Sequence, residues 1–416
     1  MGVNHMTIED VKEKYEDELL ELENCISVGI GKKETKGMET DEDAIIVGVT
    51  EKKPEEELDD DQIVPRKIEG YKSDVQEVGL ITAPPNVEHE KMPKKGGKKS
   101  RKDKWRPVPA GVSIAHEDVT AGTSSFILTD GEGDYPSSNN HVDANSNQGE
   151  KGDPILQPGP ADGGKLPDDK CGELRGYVKV EDGVTVDLAW IKPTAEFENK
   201  LLGLGVPEGP IRKVEVGDEL GAKTGRTTRV TRGKVKQAHA SVLVRYPDPL
   251  GRVKLKDQIV TEKMLSPGDS GSPGTYEDDG KERPAALGFA GSSRISVFNR
   301  IENVEEESGM KVKTKEEGPP APPPHATITL KLEKKKEGKG RIIAHVEEEE
   351  TGDPIEDATV NIRGPVDRTK KTDKDGNAVF KDVPAYKKYE VTAKKKGYKS
   401  DSGTIEEGDW VKPPGE

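Results

Sequence analysis

Apolar positions near the start of the chain recur at helical spacing. Ile8, Val11, Tyr15, Leu19 and Leu22 fall on one face over residues 7–23, and Thr7 can cap the first turn. The pattern predicts an amphipathic helix there. Residues 26–31 and 44–50 then read as strands, with weaker candidates at 64–68 and 74–79, so residues 1–84 form a small α+β unit. Between 107 and 313, short β-rich runs are separated by Gly, Pro and Asp turns, clearest at 177–180, 184–191, 233–236, 241–245 and 286–291. Regularly spaced strands of this kind suit a barrel or a sandwich. Apolar and polar residues alternate once more over 327–405, at 327–332, 341–346, 358–362 and 389–393, within a third region at 327–416. Two linkers divide the three regions. Residues 85–106 are rich in Pro and Lys, and residues 314–326 contain a stiff polyproline run at 318–324.

Composition narrows the function classes. The chain has 416 residues, room for two or three domains, yet only 30% are hydrophobic and 4% aromatic, so each core is small and mostly aliphatic. A net charge of −15 repels nucleic acid and anionic membranes. The basic run at 94–102 therefore reads as a solvated tether rather than an anion site. No stretch approaches the ~20 apolar residues of a membrane helix, and the first residues lack the apolar run of a secretory signal. The expected location is cytoplasmic by default, or external as part of a particle or appendage. Cys25 and Cys171 fall in different regions and read as unpaired thiols, with no metal-ligand spacing around them. Asp373-Lys374-Asp375-Gly376-Asn377 hints at a calcium loop, but Pro384 stands where such a loop needs Glu, so a hairpin turn is expected. Neither a metal nor a cofactor is expected.

The chemistry concentrates in Gly268-Asp269-Ser270-Gly271-Ser272. A serine on a tight glycine turn can present its hydroxyl while neighbouring backbone N–H groups converge on one point. Upstream lie Ser138-Asn139-Asn140-His141-Val142 and Val184-Thr185-Val186-Asp187-Leu188-Ala189, giving the order His, Asp, Ser. A serine hydroxyl needs a base, a base needs its tautomer fixed, and a carboxylate on an apolar stretch is costly unless paired. His116, His239 and His345 read as structural or solvated.

These segments resemble the chymotrypsin-like serine peptidases, in particular a prokaryotic branch with Ser-Asn-Asn-His-Val around its histidine. Further matches run in family order from Gly111-Val112-Ser113-Ile114 through Ala144-Asn145-Ser146-Asn147, the stretch 152–162, Gly225-Arg226-Thr227-Thr228 and Asp257-Gln258-Ile259 to Phe289-Ala290-Gly291-Ser292. The resemblance implies a mainly β chain with a double β-barrel over 107–313 and the catalytic groups at the junction. It assigns His141, Asp187 and Ser270 to the triad, Gly268 and Ser270 to the oxyanion hole, and Met264 and Gly291 to the specificity pocket. An uncharged Met264 disfavours cleavage after Lys or Arg and suggests a medium-sized apolar preference. Asp269 is either a turn residue or a brace paired with a cation. Three departures thin the support of the triad: Asp134-Tyr135-Pro136-Ser137-Ser138 before the histidine, Asp143 after it, and the stretch 273–279 after the serine. Residues 327–416 resemble the carboxypeptidase-regulatory-like, Ig-like β-sandwich.

The leading expectation is a serine endopeptidase that hydrolyses peptide or protein substrates through an acyl-enzyme. The alternative is a structural or adhesion protein of a cell surface or virus particle that reuses the peptidase fold. A module that binds peptides without cutting them is a third reading. None of the three implies nucleic acid or membrane insertion.

Overall fold

The computed structural model describes residues 6–35, 37–83, 99–315, 326–334, 339–349, 351–396 and 398–410. The proline run at 318–324 and the basic run up to residue 98 lie outside them. The chain divides into two compact units, residues 1–316 and 317–416, and is mainly β, with a half-barrel and a C-terminal β-sandwich.

The helix Ile8–Glu21 starts at Thr7, where the Thr7 hydroxyl takes the Asp10 N–H and the Asp10 carboxylate takes the Thr7 N–H. Its apolar face packs Val11, Leu19 and Leu20 against Cys25, Val28, Ile45 and Val47. Strand Cys25–Thr35 pairs with Met38–Val49 on one side and with Arg229–Arg245 on the other. The N-terminal strands therefore extend the sheet formed after the linker, giving ten strands in all. A buried polar knot ties the helix to that sheet. Glu16, 1% exposed, accepts from Ser241 Oγ at 2.6 Å and pairs with Lys12 and Lys256. Those three donors hold its carboxyl below the usual range although burial pushes the other way.

Within the large sheet, Glu219–Gly225 pairs with both Pro273–Asp278 and Arg229–Arg245, so six strands close into a paired ring. A second, eight-stranded sheet runs from Lys311–Val312 to Gly122–Thr123 and includes Asp134–Ser138. That last strand forms despite its polar sequence. Ser137 Oγ and Ser138 Oγ bond the carbonyls of Phe126 and Thr123, so the buried hydroxyls are satisfied.

Two expected strands are shifted. In place of the strands expected at 177–180 and 184–191 the chain forms Lys170–Tyr177 and Ala189–Pro193, which pair with each other. Residues 178–188 form a connection whose backbone is served partly by side chains and partly by backbone groups such as those of Leu188 and Lys254. The Asn147 amide takes the Val180 N–H and donates to the Val180 carbonyl, at 2.9 and 2.8 Å. The runs at 233–236 and 241–245 join into one strand, Arg229–Arg245, broken in register near His239, which holds a positive φ of 49°. Residues 99–106 are anchored rather than solvated. Arg101 donates to the carbonyls of Leu202 and Gly225 at 2.6 and 2.8 Å, and burial pushes its pKa down to about 10.

The C-terminal unit stacks a three-stranded sheet on a four-stranded one around Ile342, Val346, Ile362, Phe380, Tyr389 and Trp410. At the suspected calcium loop, the Asp373 carboxylate accepts the N–H groups of Asp375 and Asn377, which is turn chemistry.

Candidate functional site

His141 sits on the short helix Asn140–Asp143, immediately after the strand Asp134–Ser138. The asparagines before it fix this corner. Asn139 Nδ2 donates to the Asp187 carbonyl at 2.7 Å, and Asn140 exchanges two bonds with Asn147. Asn145, Ser146 and Asn147 all take positive φ values, so the Ala144–Asn147 motif supplies a left-handed turn that returns its last amide to the helix.

Asp187 is fully buried, and three donors converge on it. Its Oδ2 accepts from His141 Nδ1 at 2.6 Å and from the Tyr246 hydroxyl at 2.9 Å, while Oδ1 accepts the His141 backbone N–H at 3.2 Å. Burial beside this carboxylate raises the Tyr246 phenol well above its ordinary value and keeps it a donor. The Asp187 N–H bonds Asn299 Oδ1, and Asn299 in turn donates to Gln258 of the Asp257–Ile259 motif. With Nδ1 committed to the carboxylate, His141 Nε2 is the ring atom free to take a proton. Among the described residues it has no hydrogen-bond partner although it is buried.

Ser270 comes near Val142, the residue after this histidine, at Gly122. The Ser270 carbonyl accepts the Thr123 N–H at 2.7 Å, and a Cβ on Gly122 would meet both the Val142 side chain, at 2.5 Å, and that carbonyl, at 3.0 Å. In this rotamer the Ser270 hydroxyl donates to the Phe289 carbonyl at a long 3.4 Å rather than to the histidine. The structure thus pairs His141 with Asp187 and shows no Ser270–His141 hydrogen bond among the described residues.

The loop carrying Ser270 is held from beneath. Asp269 is fully buried and pairs with the equally buried Lys223 at 3.2 Å. Its carboxylate also accepts the N–H groups of Ser266, Thr227 and Thr228. Asp269 is therefore a brace, and Lys223 is its cation. Arg226 forks onto Asp162 at 2.5 and 2.7 Å, joining two further motifs below the same loop. Gly268 and Gly271 both hold φ of 91°, and a Cβ on Gly271 would lie 2.1 Å from the Thr123 carbonyl. Among the described residues, nothing accepts from the backbone N–H of Gly268 or of Ser270.

A cavity of about 210 Å³ opens beside Ser270, lined by Gly291, Lys263, Leu265, Ser266 and Phe289. Met264 lies elsewhere: its side chain is 2% exposed and packs with Val214, Leu220, Val235 and Ile259 in the core. The neighbouring Lys263 reaches the cavity instead, with its ammonium on the Ser292 carbonyl. Burial pushes that lysine's pKa down.

Sequence reasoning missed Lys223, Tyr246, Asn299 and Lys263, because nothing local marks them as partners of residues far along the chain. The other described histidines are paired: His116 with Asp153, His239 with Asp257, His345 with Asn377. Asp143 stands out differently. It is fully buried beside Cys171, both its oxygens lack partners among the described residues, and burial pushes its pKa to about 8.

A comparison with curated proteins finds no match to this chain. A family model does match the C-terminal unit: residues 341–409 carry a carboxypeptidase regulatory-like domain, a β-sandwich, in agreement with the two stacked sheets seen there.

Proposed function

We propose that residues 107–313 are a chymotrypsin-like double β-barrel and that the chain is a serine endopeptidase. Ser270 attacks a peptide carbonyl, His141 Nε2 takes its proton, and the imidazolium is held by Asp187, already bonded to Nδ1. The oxyanion that develops is received by the N–H groups of Gly268 and Ser270. Each such donor is worth about 3–4 kcal/mol of barrier. His141 then returns the proton to the leaving amine, and water resolves the acyl-enzyme by the same route.

One observation carries this reading: a buried His–Asp bond at 2.6 Å leaves Nε2 without a partner among the described residues, while Ser270, on a glycine-flanked turn, brings its carbonyl to Gly122 beside the Val142 side chain that follows this histidine. A structural histidine buried to this degree would ordinarily use both nitrogens. The cavity favours side chains that Lys263 can meet with its remaining donors, and among its described lining residues there is no carboxylate that would receive Lys or Arg. The C-terminal domain supports a role in attaching the peptidase to a surface or particle.

Treatment with a short-chain fluorophosphonate tests the chemistry. Mass shift at Ser270, absent in Ser270→Ala and reduced in His141→Ala, is the expected result. A folded protein that never labels would favour a structural role.

A further inference from the structure

The substrate groove of the proposed site is already occupied by the chain itself. From Ala286 to Gly291, strand Lys281–Gly291 is covered on one side by Ile295–Arg300. On its other side the pairing with Pro273–Asp278 stops at Leu287. Beyond that point the edge runs beside Ser270, whose hydroxyl lies on the Phe289 carbonyl. An extended peptide approaching the nucleophile would add to this edge, using the outward N–H and C=O of Gly291.

Those two groups are taken by Thr82. The Thr82 N–H donates to the Gly291 carbonyl at 2.9 Å, and the Gly291 N–H donates to the Thr82 carbonyl at 3.0 Å, an antiparallel pair. On its far edge the same segment pairs with Arg245: Arg245 N–H to the Ile81 carbonyl, and Ala83 N–H to the Arg245 carbonyl, both at 3.0 Å. Ile81 and Ala83 are fully buried against Tyr246, Phe289 and Ala290. Leu80 and Thr82 wall the cavity that contains Ser270. Because the pairing with Gly291 is antiparallel, the direction from Ile81 to Ala83 is the direction from Gly291 toward Phe289 and the nucleophile.

The geometry points to residues 80–83 as an intramolecular, substrate-like occupant that holds peptide hydrolysis in check until it is displaced. This rests on the peptidase reading above and names its regulation. A tethered segment competes at an effective concentration on the order of mM, so a free peptide at lower concentration loses to it. A small ester needs only Ser270, His141 and the oxyanion donors, not the Gly291 edge.

Three proteins test this, each scored by the ratio of kcat/KM for an unstructured peptide to that for a short-chain ester. Thr82→Pro removes the N–H given to Gly291, and its ratio should rise at least tenfold over the wild type. The double variant Thr82→Cys with Arg245→Cys locks the segment when oxidised. Its ratio should fall at least tenfold and recover on reduction, which keeps the test valid should the proline variant not fold. Equal ratios in the wild type, the folded proline variant and both redox states would overturn the inference and make the segment a fixed wall. If no form hydrolyses the ester or labels at Ser270, the peptidase reading itself fails and the inference falls with it.

Discussion

Asp269 and Lys223 show how a single buried pair braces the loop that carries Ser270. Both side chains are fully buried, so removing one partner strands the other charge, a loss of about 3–5 kcal/mol. Lys223→Met should lower the melting temperature and cut ester hydrolysis at least a hundredfold, because the loop supplying the Gly268 and Ser270 N–H groups loses its brace. Calorimetry and ester kinetics on the same preparation check both effects. Asp143 makes an opposite prediction. Its folded pKa of about 8 lies above the ordinary carboxyl value of 3.8, so the folded state holds a proton that the unfolded state releases. That contribution is complete below pH ~4 and is lost as the pH rises toward 8. Asp143→Asn should therefore flatten the decline in melting temperature between pH 4 and 8 and be the more stable protein at pH 8. A steeper decline in the variant would contradict it. The pairing of His141 with Asp187 was legible because each sits in a compact motif, whereas the choice between the two readings of Asp269 was not. Its cation lies on another strand, and only folding brings the two together. Met264 illustrates a different limit: the side chains of Lys263 and Met264 point to opposite sides, and one packs in the core while the other meets the cavity.

Among elements, the legible ones were those whose pattern is repaid by burial on one face. The first helix and the strands of the N-terminal region follow their apolar periodicity within a few residues. The connection at 178–188 was misread because its apolar residues are buried without a ladder, its backbone being served partly by Asn140 and Asn147 side chains. Strand Arg229–Arg245 was read as two pieces because the irregularity at His239 interrupts the alternation. That long strand also carries the N-terminal sheet, through its pairing with Cys25–Thr35. Deleting residues 1–83 would bare its edge and the Glu16 partners Ser241 and Lys256, so the truncated protein should aggregate on refolding. Light scattering checks this, and a soluble monomer would argue that the N-terminal strands are dispensable.

At the scale of the whole molecule, the two compact units have separate cores, and the polyproline run falls where the first gives way to the second. Residues 1–316 alone should retain Ser270 labelling and ester hydrolysis within about twofold of the full chain, and residues 326–416 should fold by themselves. Two independent calorimetric transitions in the full protein, each reproduced by one fragment, would be the signature. The most direct measurement is the intact mass of the folded chain after exposure to a short-chain fluorophosphonate. The account predicts a single adduct mapped to Ser270, abolished in Ser270→Ala and slowed at least a hundredfold in His141→Ala. An unmodified mass, with the fold intact and the His141–Asp187 bond present, would contradict it.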